Sequence, residues 1–162
     1  MFLLLILILY ENMSIVKYRG KTKFMWLPVT TSTAFEKDGL VAWASGLLVP
    51  AIAGYAGDRI VGVLHHTIAS TDDDYATARL VEVEVPIETN VVWKCTVDAT
   101  HALTSTDMGD YMDISSESGE TSSSVDAAES TEDIFYCVGY ISATEGLFIL
   151  NIGQGYSTQT DV

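Results

Sequence analysis

From Val81 to Glu88 the chain reads VEVEVPIE, with Val81, Val83, Val85 and Ile87 on one side of an extended backbone and Glu82, Glu84 and Glu88 on the other. Residues two apart share a face only in a strand, so the alternation predicts a half-buried β-strand, apolar on one side and acidic on the other. No helical period of comparable length occurs elsewhere in the chain. Short apolar runs, LVAW, LLVPAI and IVGVL, are separated by the turn signals KDG, ASG and AGDR, with Gly39, Gly46 and Gly57 where tight turns are expected. The same pattern continues in VVWKCTVDA, and IFYCVGYI, ATEG and LFILNI predict a closing hairpin. Pro86 predicts an edge or a bulge, because proline cannot donate to a central ladder.

Together these signals predict an all-β fold, a small single-domain β-barrel or β-sandwich with an extended N-terminal arm. At 162 residues one domain buries enough surface to stand without a metal or a disulfide. The arm is expected over 1–34 and the β-rich domain over 35–152. An exposed Ser/Glu-rich loop is expected at about 115–133 and a polar tail over 153–162. Cys95 and Cys137 are far apart and set in apolar stretches, which favours buried free thiols over a disulfide and fits a reducing cytoplasm at the time of folding.

The apolar run Phe2–Tyr10 is nine residues long, well short of the roughly 20 that span a bilayer, and no basic segment precedes it. Three readings stand: translation beginning at Met13, so that 1–12 is not part of the mature protein; an apolar arm that docks on a partner; or a targeting segment.

Charge is unevenly distributed. Residues 1–37 hold five basic and two acidic groups, residues 38–94 three and eight, and residues 95–162 none and twelve. A net charge of -14 argues against binding nucleic acid, whose phosphates demand cations. In an extended backbone Lys17, Arg19, Lys21 and Lys23 fall along one edge. They read either as a solvated edge strand whose lysines discourage aggregation or as a basic arm that lies on an acidic neighbour.

Motifs for chemistry are sparse. Asp72, Asp73 and Asp74 suggest calcium only weakly, since consecutive side chains point apart and no EF-hand spacing follows, so a solvated acidic loop is expected. His65, His66 and His101 lack zinc-ligand spacing; the two adjacent ones face opposite ways, so at most one can join a cluster. No GxSxG, GxxxxGK[ST] or GxGxxG occurs, and neither catalysis nor a metal or other cofactor is expected. Trp26, Trp43 and Trp93 lie in β-like apolar runs, which favours core or subunit contact over a carbohydrate platform.

The succession FEKDGLVAW, SGLLVPA, DRIVGVLHHTIASTDDDYA, VEVEVP, LTSTDMGDYMDI and YISATEGLFILN, over roughly Phe35 to Asn151, resembles the capsid decoration (cement) proteins of tailed bacteriophages. The resemblance implies a structural virion protein, made in the host cytoplasm. Such a protein binds the outer surface of an assembled capsid, commonly as a trimer at threefold positions, and clamps neighbouring major capsid protein subunits, with no membrane partner. The residues expected to make the capsid contact are Lys17, Tyr18, Arg19, Lys21, Lys23 and Trp26. A carbohydrate-binding or adhesive β-module is the alternative.

Overall fold

The computed structural model describes residues 15–55, 59–115 and 124–152; the expected leader, the Gly57 turn, the C-terminal tail and the middle of the Ser-rich loop lie outside them. The chain is all-β, with eleven strands in two antiparallel sheets among the described residues. In chain order they are β1 (Ile15–Arg19), β2 (Thr22–Pro28), β3 (Gly39–Ala44), β4 (Leu47–Pro50), β5 (Ile60–Leu64), β6 (Leu80–Pro86), β7 (Val92–Thr96), β8 (Tyr111–Ile114), β9 (Val125–Asp126), β10 (Phe135–Ser142) and β11 (Glu145–Leu150). Two short 3-10 turns, Ala99–His101 and Ser105–Asp107, join β7 to β8.

One sheet runs β2-β6-β5-β3-β4 and curls into a half-barrel, its two end strands meeting at the parallel bridge Val29↔Leu48. The interior is filled by Leu27, Val41, Leu48, Val61, Leu64, Val81, Val83 and Val85. The second sheet runs β1-β7-β11-β10-β8-β9 and also bends round, so that Val125 of β9 bridges Val97 just beyond β7. Its core holds Trp93, Met112, Ile114, Phe135 and Phe148, with the Phe135 and Phe148 rings edge to face at 5.8 Å.

The wall between the two cores is β3 and β5. Leu40, Ala42, Ile60 and Val63 face the second sheet, while Val41, Val61 and Leu64 face the barrel interior. A strand covered on both faces needs apolar residues at every position, which is why IVGVL reads as a continuous run rather than an alternation. β6 has only one covered face over most of its length, so Val81, Val83 and Val85 point inward and Leu80 and Glu82 outward.

The terminal hairpin forms as expected, β10 returning into β11 through Ala143 and Thr144. Several local expectations differ. Ile87 follows the end of β6 and is exposed, so the apolar alternation stops at Val85. Pro86 ends an interior strand rather than marking an edge; the register of β6 with β5 covers Val83 and Glu84, so proline faces β2 alone and costs no ladder bond on the other side. The left-handed residue before β3 is Asp38, with φ 59°, not Gly39, whereas Gly46 does take the left-handed turn between β3 and β4. Within the Ser-rich stretch, Ser124, Val125 and Asp126 are buried and only residues 128–131 among those described are exposed. Asp113 holds the end of that stretch, accepting from the backbone N–H groups of Thr131, Glu132 and Asp133. Cys95 and Cys137 are buried free thiols, and burial pushes the Cys95 thiol well above its ordinary value.

Candidate functional site

β1, β2 and the turn between them carry all six residues expected to make contact, but not as one extended arm. Gly20, with φ 105°, breaks the run, because its α-carbon packs so close to Val91 that a Cβ would lie 2.8 Å from the Val91 Cα. Lys17, Tyr18 and Arg19 therefore sit on β1, paired to β7 in the second sheet. Lys23 and Trp26 sit on β2, paired to β6 in the half-barrel, and Lys21 occupies the connecting turn. Both strands end their sheets, and among the described residues the first half of β2 pairs only with β6.

The outer face of β2 is apolar and open. Phe24 and Trp26 are 55% and 65% exposed and sit opposite Glu84 and Glu82, with Pro28 opposite the exposed Leu80. Tyr18 on β1 is likewise exposed, at 63%. Of the three tryptophans only Trp93 is fully core; Trp43 is half-buried and Trp26 is a surface residue. Single exposed apolar residues need no explanation, but aromatic rings at alternate positions of an open-edged strand form a patch.

The cations divide into two groups. Lys21 pairs with Glu88 at 3.2 Å, and Lys17 Nζ lies 2.9 Å from Glu84 Oε1. Among the described residues Arg19 and Lys23 have no ion-pair or side-chain hydrogen-bond partner. They are uncommitted positive charges in a chain whose last 68 residues contain no cation.

Beneath this edge lies a charge cluster that periodicity did not reveal. Glu84, expected on a solvated acidic face, has a side chain only 5% exposed. Its Oε1 accepts from Lys17 Nζ and, at 2.5 Å, from Thr22 Oγ1, while Oε2 lies 2.7 Å from His65 Nε2. The other ring nitrogen, Nδ1, lies 2.6 Å from Asp38 Oδ1. His65 is thus held between two carboxylates, with the Phe24 ring centroid 6.2 Å away. As expected of adjacent residues, His66 does not join it and is exposed.

The protonation balance follows from these contacts. Burial alone pushes the His65 imidazole down, but the hydrogen bonds to Asp38 and Glu84 and then their charges more than reverse this, and its pKa is raised. Burial alone pushes Glu84 up, and the hydrogen bonds from Thr22, Lys17 and His65 outweigh it, leaving the carboxyl below its ordinary value. The charged forms of both groups are the stable ones.

The remaining candidates are structural. Arg79 staples the Asp72–Asp74 loop through Asp74 at 2.5 Å, and Asp72 accepts from the Ala69 N–H. Among the described residues no group of three or more His, Cys, Asp or Glu side chains is placed to hold a metal. No helix among them is long and apolar enough to cross a membrane. Both His65 ring nitrogens face carboxylates, and the Thr22 hydroxyl of the cluster donates to Glu84. No known protein family, curated protein or solved structure matches the chain.

Proposed function

We propose that this chain is a non-enzymatic virion protein that binds the outer surface of an assembled phage capsid, through the β1–β2 edge, and fastens neighbouring major capsid protein subunits. The observation that carries the reading is the composition of the two strands: exposed Tyr18, Phe24 and Trp26, and the uncommitted Arg19 and Lys23, all on strands that end their sheets. Aromatic and arginine side chains supply most of the energy of protein interfaces, and an open strand can extend a neighbour's sheet through its main chain. An acidic body suits the outside of a shell, because the inside faces packaged phosphates. Repetition around a symmetric shell, as trimers at threefold positions, converts modest contacts into firm attachment.

The structure also refines which residues to change. Lys17 and Lys21 are internally paired, so Arg19→Glu with Lys23→Glu, and separately Trp26→Ala, test contact without disturbing the fold. Each should leave the circular dichroism and melting profile intact and lower co-sedimentation with purified shells about tenfold, a loss near 1.4 kcal/mol per site. Unchanged occupancy with both changes refutes the assignment of the edge. A second reading, binding of a host glycan, is favoured by the Phe24 and Trp26 rings beside the exposed Glu82 carboxylate. Quenching of Trp26 fluorescence by oligosaccharides, with no co-sedimentation with shells, would select it.

A further inference from the structure

We propose that protonated His65 is a latch on β1, so that the start of this strand, and with it the β1 side of the binding edge, is held firmly only while the imidazole carries both protons. The inference rests on the reading of that edge as the contact surface; the latch itself is a property of the isolated chain.

The geometry behind it is a pair of tethers that share one side chain. From His65 Nε2 the first runs to Glu84, and from Glu84 to Lys17 of β1 and Thr22 of β2. The second runs from Nδ1 to the Asp38 carboxylate, and the carbonyl of the same Asp38 accepts the Ile15 N–H at 3.0 Å, at the start of β1. Both Ile15 and Lys17 are therefore anchored through carboxylate residues that meet on His65. β1 needs such anchors, because it ends its sheet and pairs with β7 across an irregular register between Lys17 and Arg19.

A neutral imidazole has one N–H and one lone pair. Both ring nitrogens face carboxylate oxygens at 2.6 and 2.7 Å, so loss of the proton sets a lone pair against an anion at one of them. Glu84 keeps Lys17 and Thr22 whichever way the ring titrates. Among the described residues the Asp38 side chain has only His65, so the Asp38 contact is the one released, and with it the support of the Ile15 hydrogen bond. The charged groups facing the ring are Asp38 ahead of β3 and Glu84 on β6, with Lys17 on β1 behind Glu84; β2 contributes the neutral Thr22 and Phe24. With the ring protonated these four ionic groups are balanced, and without its proton the cluster is left with an excess negative charge. The raised pKa of His65 agrees with this direction.

The test is a pH titration of the full chain by NMR, following the His65 ring and amide protection factors together. Protection of the Ile15–Arg19 amides should fall about tenfold as His65 loses its proton, the size of one lost charge-assisted contact, while the β10–β11 amides hold theirs. In His65→Gln, β1 protection should be low and free of that step. The wild-type titration decides the matter even if this variant folds poorly: β1 protection equal on both sides of the His65 midpoint overturns the latch. Shell co-sedimentation over the same range separates the two ideas. Release that tracks His65 supports both; attachment with the same pH profile in wild type and His65→Gln overturns the latch as a control of binding. Failure to bind shells at any pH, with β1 protection still following His65, removes the capsid reading and leaves the latch.

Discussion

Replacing Glu84 by Gln tests the cluster on stability alone. The side chain keeps its shape, and the amide oxygen still accepts from Thr22 and Lys17, but the Thr22 bond becomes an ordinary one and the Lys17 ammonium exchanges an ion pair for a bond to a neutral oxygen. On the other side an NH2 group replaces an oxygen 2.7 Å from His65 Nε2, so the ring must present a lone pair there and give up its charge. A hydrogen bond to a charged group contributes about 1.5–3 kcal/mol against about 0.5–1.5 for a neutral one. Solvent discounts the Lys17 part, since that side chain is 37% exposed, and relief of the buried carboxylate's desolvation offsets a further share. The expected loss is about 2 kcal/mol, a fall of about 1 M in urea midpoint for a chain of this size. The pH dependence carries the sign. A raised His65 pKa gives stability fully present below the ordinary imidazole value of 6.5 and lost as pH rises through the folded-state value. A lowered Glu84 pKa gives stability present above the ordinary carboxylate value of 4.5 and lost as pH falls through the folded-state value. The gap between wild type and Glu84→Gln should therefore be widest between those two ordinary values, shrinking on either side of that window. Urea unfolding at a series of pH values measures it. A gap independent of pH, or a variant as stable as wild type, would refute the account.

Other positions give independent checks. A Cβ on Gly62 would lie 2.2 Å from the carbonyl oxygen of Glu84, a backbone atom that can move only with β6, so Gly62→Ala should cost about 3 kcal/mol and lower the melting temperature by roughly 6–12 °C in calorimetry. Asp113→Ala removes the acceptor of three backbone N–H groups and should cost about 2–4 kcal/mol in urea unfolding; Asp113→Asn should cost less, because the amide retains one acceptor. Cys95 is buried, with its thiol pushed up, so a thiol reagent should label it only as the chain unfolds, and a reductant should leave the unfolding midpoint unchanged.

The strands were legible because their signal is local. LVAW, LLVP, IVGVL and the two halves of the closing hairpin all became strands, since a run of four to eight apolar or alternating residues carries its own periodicity. The division of the N-terminal segment was not, because the spacing of Lys17, Arg19, Lys21 and Lys23 continues unbroken across a point where the chain changes sheets. Its one trace was Gly20, a glycine inside a strand pattern. Glu82 and Glu84 share the outer face of β6, yet Glu82 is exposed and Glu84 covered. Alternation fixes the side on which a residue points. What lies there depends on β1 and the segment after β5 reaching over the strand, which is a matter of topology and register. The buried Asp98, Asp113 and Asp126 escaped notice for a related reason: backbone N–H and hydroxyl donors satisfy them, and these leave no mark in composition.

The closure of the two sheets narrows where a partner can attach. The β7–β11–β10–β8–β9 ring is bridged at Val97↔Val125 and the barrel at Val29↔Leu48, so hydrogen-bonding edges along most of both sheets are consumed internally. β1 and the first half of β2 lie outside those closures. An edge guarded only against aggregation would carry lysine and proline with few large apolar side chains. This one carries lysines together with exposed Tyr18, Phe24 and Trp26, and it is tied to the barrel by Glu84 and His65 rather than left to fray. Aromatic rings at exposed positions reduce solubility and do nothing to protect an edge, so protection accounts for the cations and not for the rings. The proposed contact with a partner would account for both, and the anchoring cluster beneath would supply rigidity that lowers the entropy lost on binding.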